Sequence, residues 1–394
     1  MTNPAFKTTL VVGNTTVITD VDDLLVLRSN FVPGNMWGTG TNVYGELGNA
    51  VYGEKSSPIT VGSLTNWQSI TASSGDWSSA GITTSGNLSV WGNNSSGQLG
   101  LGDTNGRSTP TQVGALTWKQ VCFSGDSHGT YALAIRSDGS LWGWGDNSAG
   151  NLANGTLTST SSPVQAGSRT DWKIVCAGYD FALAIANDGS LWGWGTQSVI
   201  YTSATAIAST PVQIGSNTNW KSISAGGASA GFALAISYDN TLWGWGSNYI
   251  GQLGAGTVGS LSSLTQLGSA GFWKSAVCST VGQHVVAVSV SGALYTWGLN
   301  NVGQLGNGDS LLNIVSTPVQ IGSLTNWMTP VAGGYSSGAI KTDGSAWGWG
   351  YNTSGMLGIS NASNISSPVQ IGSNTNWKSM SMGSYHSLLT AYSF

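Results

Sequence analysis

The chain of 394 residues carries 12 Lys or Arg against 16 Asp or Glu, a net charge of −4, together with 58 Gly and 19 Trp. Disorder is excluded, because it requires high charge and few aromatics, and so is collagen, because the glycines keep no three-residue period. No apolar run approaches the ~18 residues of a membrane helix, and the longest, such as Tyr131-Ala-Leu-Ala-Ile135, are strand-sized.

Residues 1–30 read as a separate arm of short strands, which either docks on another subunit or covers the first blade. Leu10–Val12, Val17–Ile18 and Leu24–Leu27 form short apolar stretches that recur nowhere else. Asp20, Asp22 and Asp23 lack the regular oxygen spacing and turn glycine of a calcium loop, so they read as a solvated acidic face. The start lacks a charged-then-apolar leader, so export through a signal peptide is not expected.

From residue 31 onward one unit recurs. Taking the second Trp of Leu141-Trp-Gly-Trp-Gly145 as reference, the equivalent positions are Thr39, Trp91, Trp144, Trp194, Trp245, Trp297 and Trp349, spaced 50 to 53 residues apart. A second ladder, usually followed by Lys and Ser, gives Trp67, Trp118, Trp172, Trp220, Trp273, Trp327 and Trp377. Pro, followed by Val or Ile except at Pro110, gives a third at 58, 110, 163, 211, 318 and 368, with Leu264 in the remaining place. Three ladders agree on seven copies, which rejects the two or three separate domains that length alone suggests at ~150 residues each.

Each copy reads as short strands. Ala182–Ile185, the Asp188-Gly189 turn and Ser190–Gly195 make an Asp-Gly hairpin. A Gly-Gln-Leu-Gly turn follows at Gly97–Gly100, Gly251–Gly254 and Gly303–Gly306, then a Pro-Val-Gln strand and a Trp-Lys-Ser strand. Four strands in about 50 residues, seven times, predict an all-β, seven-bladed β-propeller over residues 31–394. The last copy stops before its Trp-Gly strand, while Pro33–Gly40 supplies such a strand with no full copy ahead of it. The two ends are therefore expected to pair in one blade and hide both sheet edges. Trp91, Trp144, Trp194, Trp245, Trp297 and Trp349 are expected to be structural core, each indole filling a gap over the bare glycines of a neighbouring Trp-Gly-Trp-Gly strand.

The residues offer little chemistry. Cys122 and Cys176 lie four residues after a ladder Trp, where Ser224 stands in another copy, and Cys278 lies five after; these read as small buried positions rather than a disulfide or metal set. His128, His284 and His386 sit near one repeat position and read as packing groups. Asp138, Asp188, Asp239 and Asp343 belong to hairpin turns. No nucleophile elbow, zinc-binding helix or Cys-x-x-Cys pair occurs, so no catalytic residue, cofactor or metal is expected. Basic residues are scattered singly, which argues against nucleic acid. Binding is the better prospect: Trp77, Tyr179, Tyr335 and Tyr385 each follow the same Gly and are expected to form an aromatic collar on one mouth of the ring, suited to protein or glycan. The competing reading packs each ring on the adjoining blade. The loops 102–109, 197–208 and 359–365 are the other variable surface.

The Leu-Trp-Gly-Trp-Gly-x-Asn-x-x-Gly-Gln-Leu-Gly core, the Pro-Val ladder and the Ala-Leu-Ala-Ile-x-x-Asp-Gly stretch resemble the regulator-of-chromosome-condensation repeat family. The resemblance implies a seven-bladed propeller and a role in protein contacts. The chain departs from the pattern at Gln197–Tyr201, where the Gly-Gln-Leu-Gly turn is missing, at Thr39, and at Phe181 and Phe232, where the family commonly has His. Kelch propellers share the period, but their double glycine recurs here only at Gly226-Gly227 and Gly333-Gly334. Low charge, a Ser/Thr/Asn/Gly surface, no leader and an unmatched arm point first to a non-enzymatic bacteriophage virion or tail component, held to other subunits through the arm and acting in assembly or host attachment. The alternatives are a cytoplasmic regulator resembling the family's guanine-nucleotide exchange factors, and a soluble inhibitor resembling its β-lactamase-inhibiting propellers. The family's UV-B photoreceptors need Arg-rich faces, which Arg28, Arg107, Arg136 and Arg169 do not supply.

Overall fold

The computed structural model describes residues 8–12, 15–19, 32–75, 77–126, 129–196, 207–227, 230–310 and 313–393. Twenty-nine strands and no helix make up its regular structure among these residues. Thr8–Val12 and Thr15–Thr19 pair antiparallel as a sheet of their own. The Leu24–Leu27 stretch and the three aspartates of the arm lie outside the described residues.

The remaining strands form seven blades of four antiparallel strands. Blade 1 joins the two ends of the chain in the order Trp377–Met382, His386–Ser393, Val32–Gly40, Lys55–Thr60. Blade 2 begins at Trp67–Ala72 and blade 3 ends at Thr160–Gln165; one long strand, Arg107–Asp126, is the outer strand of the first and the inner strand of the second. Blades 4 to 7 open at Trp172, Trp220, Trp273 and Trp327 and close at Gln213, Leu267, Gln320 and Gln370. The seven Trp-led strands are innermost and touch one another in succession, blade 7 against blade 1 included. The expected closure is present: His386 pairs with Gly40, Leu388 with Gly38 and Ser393 with Val32.

Blade contacts follow from a pairing of large with small residues. On one face of blade 3, Trp144 sits opposite Ala132 and Trp142 opposite Ala134, and blades 4 and 5 repeat it with Trp194–Ala182 and Trp245–Ala233. Alanine leaves room for the flat indole, so the face stays level enough to lie on the preceding blade. There Trp144 packs with Ile82, Val90 and Leu99, while Leu133 and Ile135 point the other way, onto blade 4. The six reference tryptophans are at most 3% exposed, as core residues should be.

The glycines that receive the indoles are not those expected. A Cβ on Gly143 would meet Leu133 and Leu152, so the bare face of the Trp-Gly-Trp-Gly strand is filled by leucines of its own blade. The indole lies instead on the last glycine of the preceding blade's turn: a Cβ on Gly100, Gly254 or Gly306 would stand 2.7–2.8 Å from Nε1 of Trp144, Trp297 or Trp349. The same turns accept the indole N–H, from Trp91 to Glu46 O (2.8 Å), Trp144 to Gln98 O (2.7 Å), Trp194 to Asn151 O (2.8 Å), Trp297 to Gln252 O (3.0 Å) and Trp349 to Gln304 O (2.9 Å). Trp245 Nε1 has no acceptor among the described residues; the corresponding stretch, 197–206, lies outside them. Thr39, in the Trp place of blade 1, keeps an interblade contact through its hydroxyl, whose single proton is shared between Gly355 O (2.9 Å) and Lys55 O (2.8 Å).

The buried polar groups are structural. In each blade the residue opposite the glycine ending the Trp-Gly strand is Ser78, Tyr131, Phe181, Phe232, His284, Ser336 or His386. His128 therefore does not hold this place, which Tyr131 fills, and it lies outside the described residues. Ser337 donates to Gln304 O (2.7 Å), which leaves its oxygen to accept the Nε2–H of His284 (2.7 Å) from the neighbouring blade. Ser79 does the same between Glu46 O (2.8 Å) and His386 (2.9 Å). Burial pushes both imidazoles down to about 4, so they are neutral clamps between blades. Burial also pushes the thiols of Cys122 and Cys278 up to about 12 and that of Cys176 well above its ordinary value.

Candidate protein-docking face

The propeller presents two unlike faces. The hairpin face carries the Asp-Gly turns and the links between blades. The loop face carries the links from innermost to second strand and from third to outermost strand.

On the hairpin face, Asp138, Asp188 and Asp343 repeat one motif. Each accepts from the Ser two residues on, and that hydroxyl oxygen accepts the indole N–H of Trp142, Trp192 or Trp347 at 2.7–2.9 Å. These serine bonds hold the three carboxyls below their ordinary range. The half-buried indoles are then covered by cations: Arg136 over Trp142, Arg169 over Trp192 (4.6 Å) and Lys341 over Trp347 (3.7 Å).

The loop face holds the aromatic residues singled out in the sequence. A backbone bond defines their register. The carbonyls of Trp77, Tyr335 and Tyr385 accept from the N–H of Asn93 (3.1 Å), Tyr351 (3.0 Å) and Thr41 (2.9 Å). In blade 4 the equivalent carbonyl is that of Asp180, which accepts from Thr196 (2.7 Å). Tyr335, Tyr385 and Trp77 thus occupy one place in the consecutive blades 7, 1 and 2, whereas Tyr179 sits one residue out of register, in blade 4. The four residues do not make a collar; three of them make an arc.

Two further aromatics complete the arc. Tyr44 stacks on Trp77 at 5.1 Å and 28°, Trp77 on Tyr385 at 5.9 Å and 22°, and Tyr351 meets Tyr385 edge-on at 6.0 Å. Tyr44 is 43% exposed and the other rings are half-buried, so each of the four touching rings presents a free flank while resting on its neighbour. Burial raises the Tyr385 phenol, with Tyr351 and Tyr335 nearby adding to the shift. Trp77 has φ +46°, a conformation that costs a non-glycine residue about 1 kcal/mol or more. Tyr44 is held by Glu46, whose buried carboxylate accepts from the N–H of Tyr44 (2.8 Å) and Val43 (3.2 Å). Burial raises the Glu46 carboxyl above its ordinary value, against the pull of those bonds. The signal for Tyr44 and Tyr351 lay in the loop after the Trp-Gly strand, which lands on the same face as the loop bearing Tyr385.

Of the variable loops, 102–109 is braced by Asp103, which binds Arg107 (2.7 Å), and most of 197–208 lies outside the described residues. Among the described residues no group of three His, Cys, Asp or Glu is placed to hold a metal. No described helix is long and apolar enough to cross a membrane.

Models of the regulator of chromosome condensation (RCC1) repeat match residues 70–98, 85–131, 138–185, 291–340 and 343–390, together just over half of the chain. The ultraviolet-B receptor UVR8 of Arabidopsis thaliana is 29% identical over 280 residues, covering 69% of this chain and 62% of that protein. The human E3 ubiquitin-protein ligase HERC2 is 26% identical over 349 residues, 82% of this chain but 7% of the ligase. The chain thus spans about three fifths of the first relative and a small part of the second. Among solved structures, Prp20p of Saccharomyces cerevisiae superposes with a TM-score of 0.78 over 94% of this chain and 95% of that one, and human WBSCR16 with 0.76 over 91% and 99%, each at 18% identity. These likenesses establish the fold, and with the repeat matches they place the chain in the regulator of chromosome condensation repeat family.

Proposed function

We propose that this protein is a non-enzymatic regulator that acts by binding another protein through the aromatic arc Tyr335, Tyr351, Tyr385, Tyr44 and Trp77. The observation that carries the reading is the unbroken ring contact from Tyr44 through Trp77 and Tyr385 to Tyr351 on exposed loops, with Trp77 in a costly backbone conformation. Rigid aromatics bury much area at little entropic cost, which is why they dominate protein interfaces. A structural role alone would have buried them fully, as it does the six reference indoles.

The family favours a regulator over a particle component. Its members named above are a light receptor and a ligase, and the yeast propeller is known for its binding to Gsp1p, to histones and to Kap60. The virion or tail reading, with attachment through the arm or to surface glycan, rests on low charge, surface composition, the lack of a leader and the unmatched arm, and no relative above supports it. A glycan platform would also want side-chain hydrogen-bond donors and carboxylates around an open ring, whereas here the rings lie on one another.

The test is quantitative affinity capture with the wild-type chain and the Trp77→Ala/Tyr44→Ala variant. A partner retained by the first and lost by the second, with the melting temperature of the variant within a few degrees, supports the reading. An unchanged set of partners overturns it.

A further inference from the structure

The hairpin face carries a second feature that the aromatic arc does not explain. The residue after each ladder Trp is Gln68, Lys119, Lys173, Lys221, Lys274, Met328 or Lys378. In all seven blades the pairing register shifts across this residue: Trp172 pairs with Ala186 and Ile174 with Ile185, leaving Lys173 in a bulge. A bulge leaves its residue unpaired and re-aims the side chain. Because the Trp-led strands are innermost and begin at the hairpin face, the seven bulges encircle one mouth of the central channel. Lysines scattered singly along the sequence are thereby gathered into a ring, which corrects the reading of isolated basic residues.

Five lysines hold this ring, in blades 3, 4, 5, 6 and 1. Lys119, Lys173 and Lys274 are exposed and Lys221 and Lys378 half-buried. Lys173 donates to Tyr238 Oη (2.7 Å), Lys221 to Asn240 Oδ1 (2.9 Å) and Lys378 to Trp67 O (3.3 Å), all neutral acceptors. None of the five meets a carboxylate among the described residues. The carboxylates of this face are engaged elsewhere: Asp138 with Arg136 (3.0 Å), Asp171 (2.5 Å) and Asp188 (3.4 Å) with Arg169, and Asp239 and Asp343 with the hydroxyls of Ser237 and Ser345. The loop face has the opposite balance, with Glu46, Glu54, Asp103, Asp146, Asp180 and Asp309 against Lys55 and Arg107. The net charge of −4 conceals, among the described residues, one acidic and one basic end.

We propose that the lysine ring is a second binding site, which takes a short acidic peptide segment of a partner protein into the channel mouth. Five like charges without counter-ions repel one another, and one anionic segment placed centrally relieves all of them at once. Low-dielectric walls focus such a field. The surrounding Asp138, Asp171, Asp188, Asp239 and Asp343 favour a peptide over nucleic acid, since a phosphate backbone running past the ring would cross these carboxylates while a peptide end stops inside it.

The experiment measures fluorescence anisotropy of a short fluorescein-labelled oligoglutamate titrated with the full chain at low salt, beside a labelled DNA duplex of similar charge. The triple variant Lys119→Gln/Lys173→Gln/Lys274→Gln introduces the residue blade 2 already carries at this place, Gln68, so folding is retained and is checked by its melting temperature. The expected result is saturable oligoglutamate binding that weakens by about tenfold or more in the variant and falls with added salt. Trp77→Ala/Tyr44→Ala leaves it unchanged, so this site stands or falls apart from the aromatic arc. No binding to the wild-type chain, equal binding by the triple variant, or tighter binding of the duplex would overturn the proposal.

Discussion

The indole N–H of Trp144 donates to the carbonyl oxygen of Gln98 at 2.7 Å, across the boundary between blades 2 and 3. The same turn ends in Gly100, on which the indole ring lies, so one short loop both receives the hydrogen bond and makes room for the donor. Gly100→Ala therefore brings two penalties: a φ of +67° for a residue with a Cβ, and a Cβ 2.8 Å from Trp144 Nε1. Gly114, at φ +54° with nothing within 4 Å, offers a matched control. Denaturant unfolding should show a loss of about 1 kcal/mol for Gly114→Ala and of about 2–4 kcal/mol for Gly100→Ala. Equal losses would mean the turn glycine is needed for its backbone alone.

Thr39 performs the interblade work of the missing indole with a single hydroxyl. Thr39→Val keeps the shape and removes both bonds, to Gly355 O and Lys55 O. Two carbonyls, one buried and one partly buried, then lose their shared donor, and stability should fall by about 1–3 kcal/mol. A neutral result would show that water or backbone relaxation replaces the hydroxyl.

The histidine clamps give a pH dependence of known sign. Both imidazoles titrate at about 4 in the folded chain because burial disfavours the charged ring, against ~6.5 when unfolded. Between those values the unfolded chain binds more protons, so the contribution is complete above pH ~6.5 and is lost as pH falls toward 4. Each ring accounts for on the order of 3 kcal/mol over that window. Unfolding free energies measured from pH 7 to 4.5 should fall steeply for the wild-type chain and less steeply for His284→Gln/His386→Gln. Parallel curves would contradict the assignment.

Cys122, Cys176 and Cys278 are free thiols, each held in its neutral form by burial. A thiolate-specific reagent at pH 8 should modify none of them in the native protein and all three in denaturant. Rapid native labelling of any one would mean that its blade opens on the timescale of the reaction.

Much of the fold was legible because repetition multiplies weak signals. A single Trp-Gly-Trp-Gly strand says little, but three ladders at one period fixed the number of blades, and the incomplete copies at Trp377 and Pro33 announced the closure. Periodicity gave no account of which glycine meets which indole. The strand glycine Gly143 and the turn glycine Gly100 are equally regular in the sequence, and packing alone separates them. The candidate site was harder to read for the same reason. Tyr179 and Tyr385 follow like glycines, yet the backbone bond to the next strand sets Tyr385 in register and leaves Tyr179 one residue short. Tyr44 and Tyr351 stand far from Trp77 and Tyr385 in the chain and meet them only where the ring closes. The lysines looked isolated because residues some 50 positions apart become neighbours only around a channel.

The arc depends on that closure, because Tyr385 and Tyr44 belong to the blade in which the chain's two ends pair. Hydrogen exchange tests it without altering the molecule. The amides of Val32–Gly40 and His386–Ser393 should exchange as slowly as those of Leu191–Thr196 and Phe181–Ala186, the corresponding strands of blade 4. If the two end strands exchange as fast as the exposed loops while blade 4 stays protected, the ends do not pair in solution and the aromatic arc has no foundation.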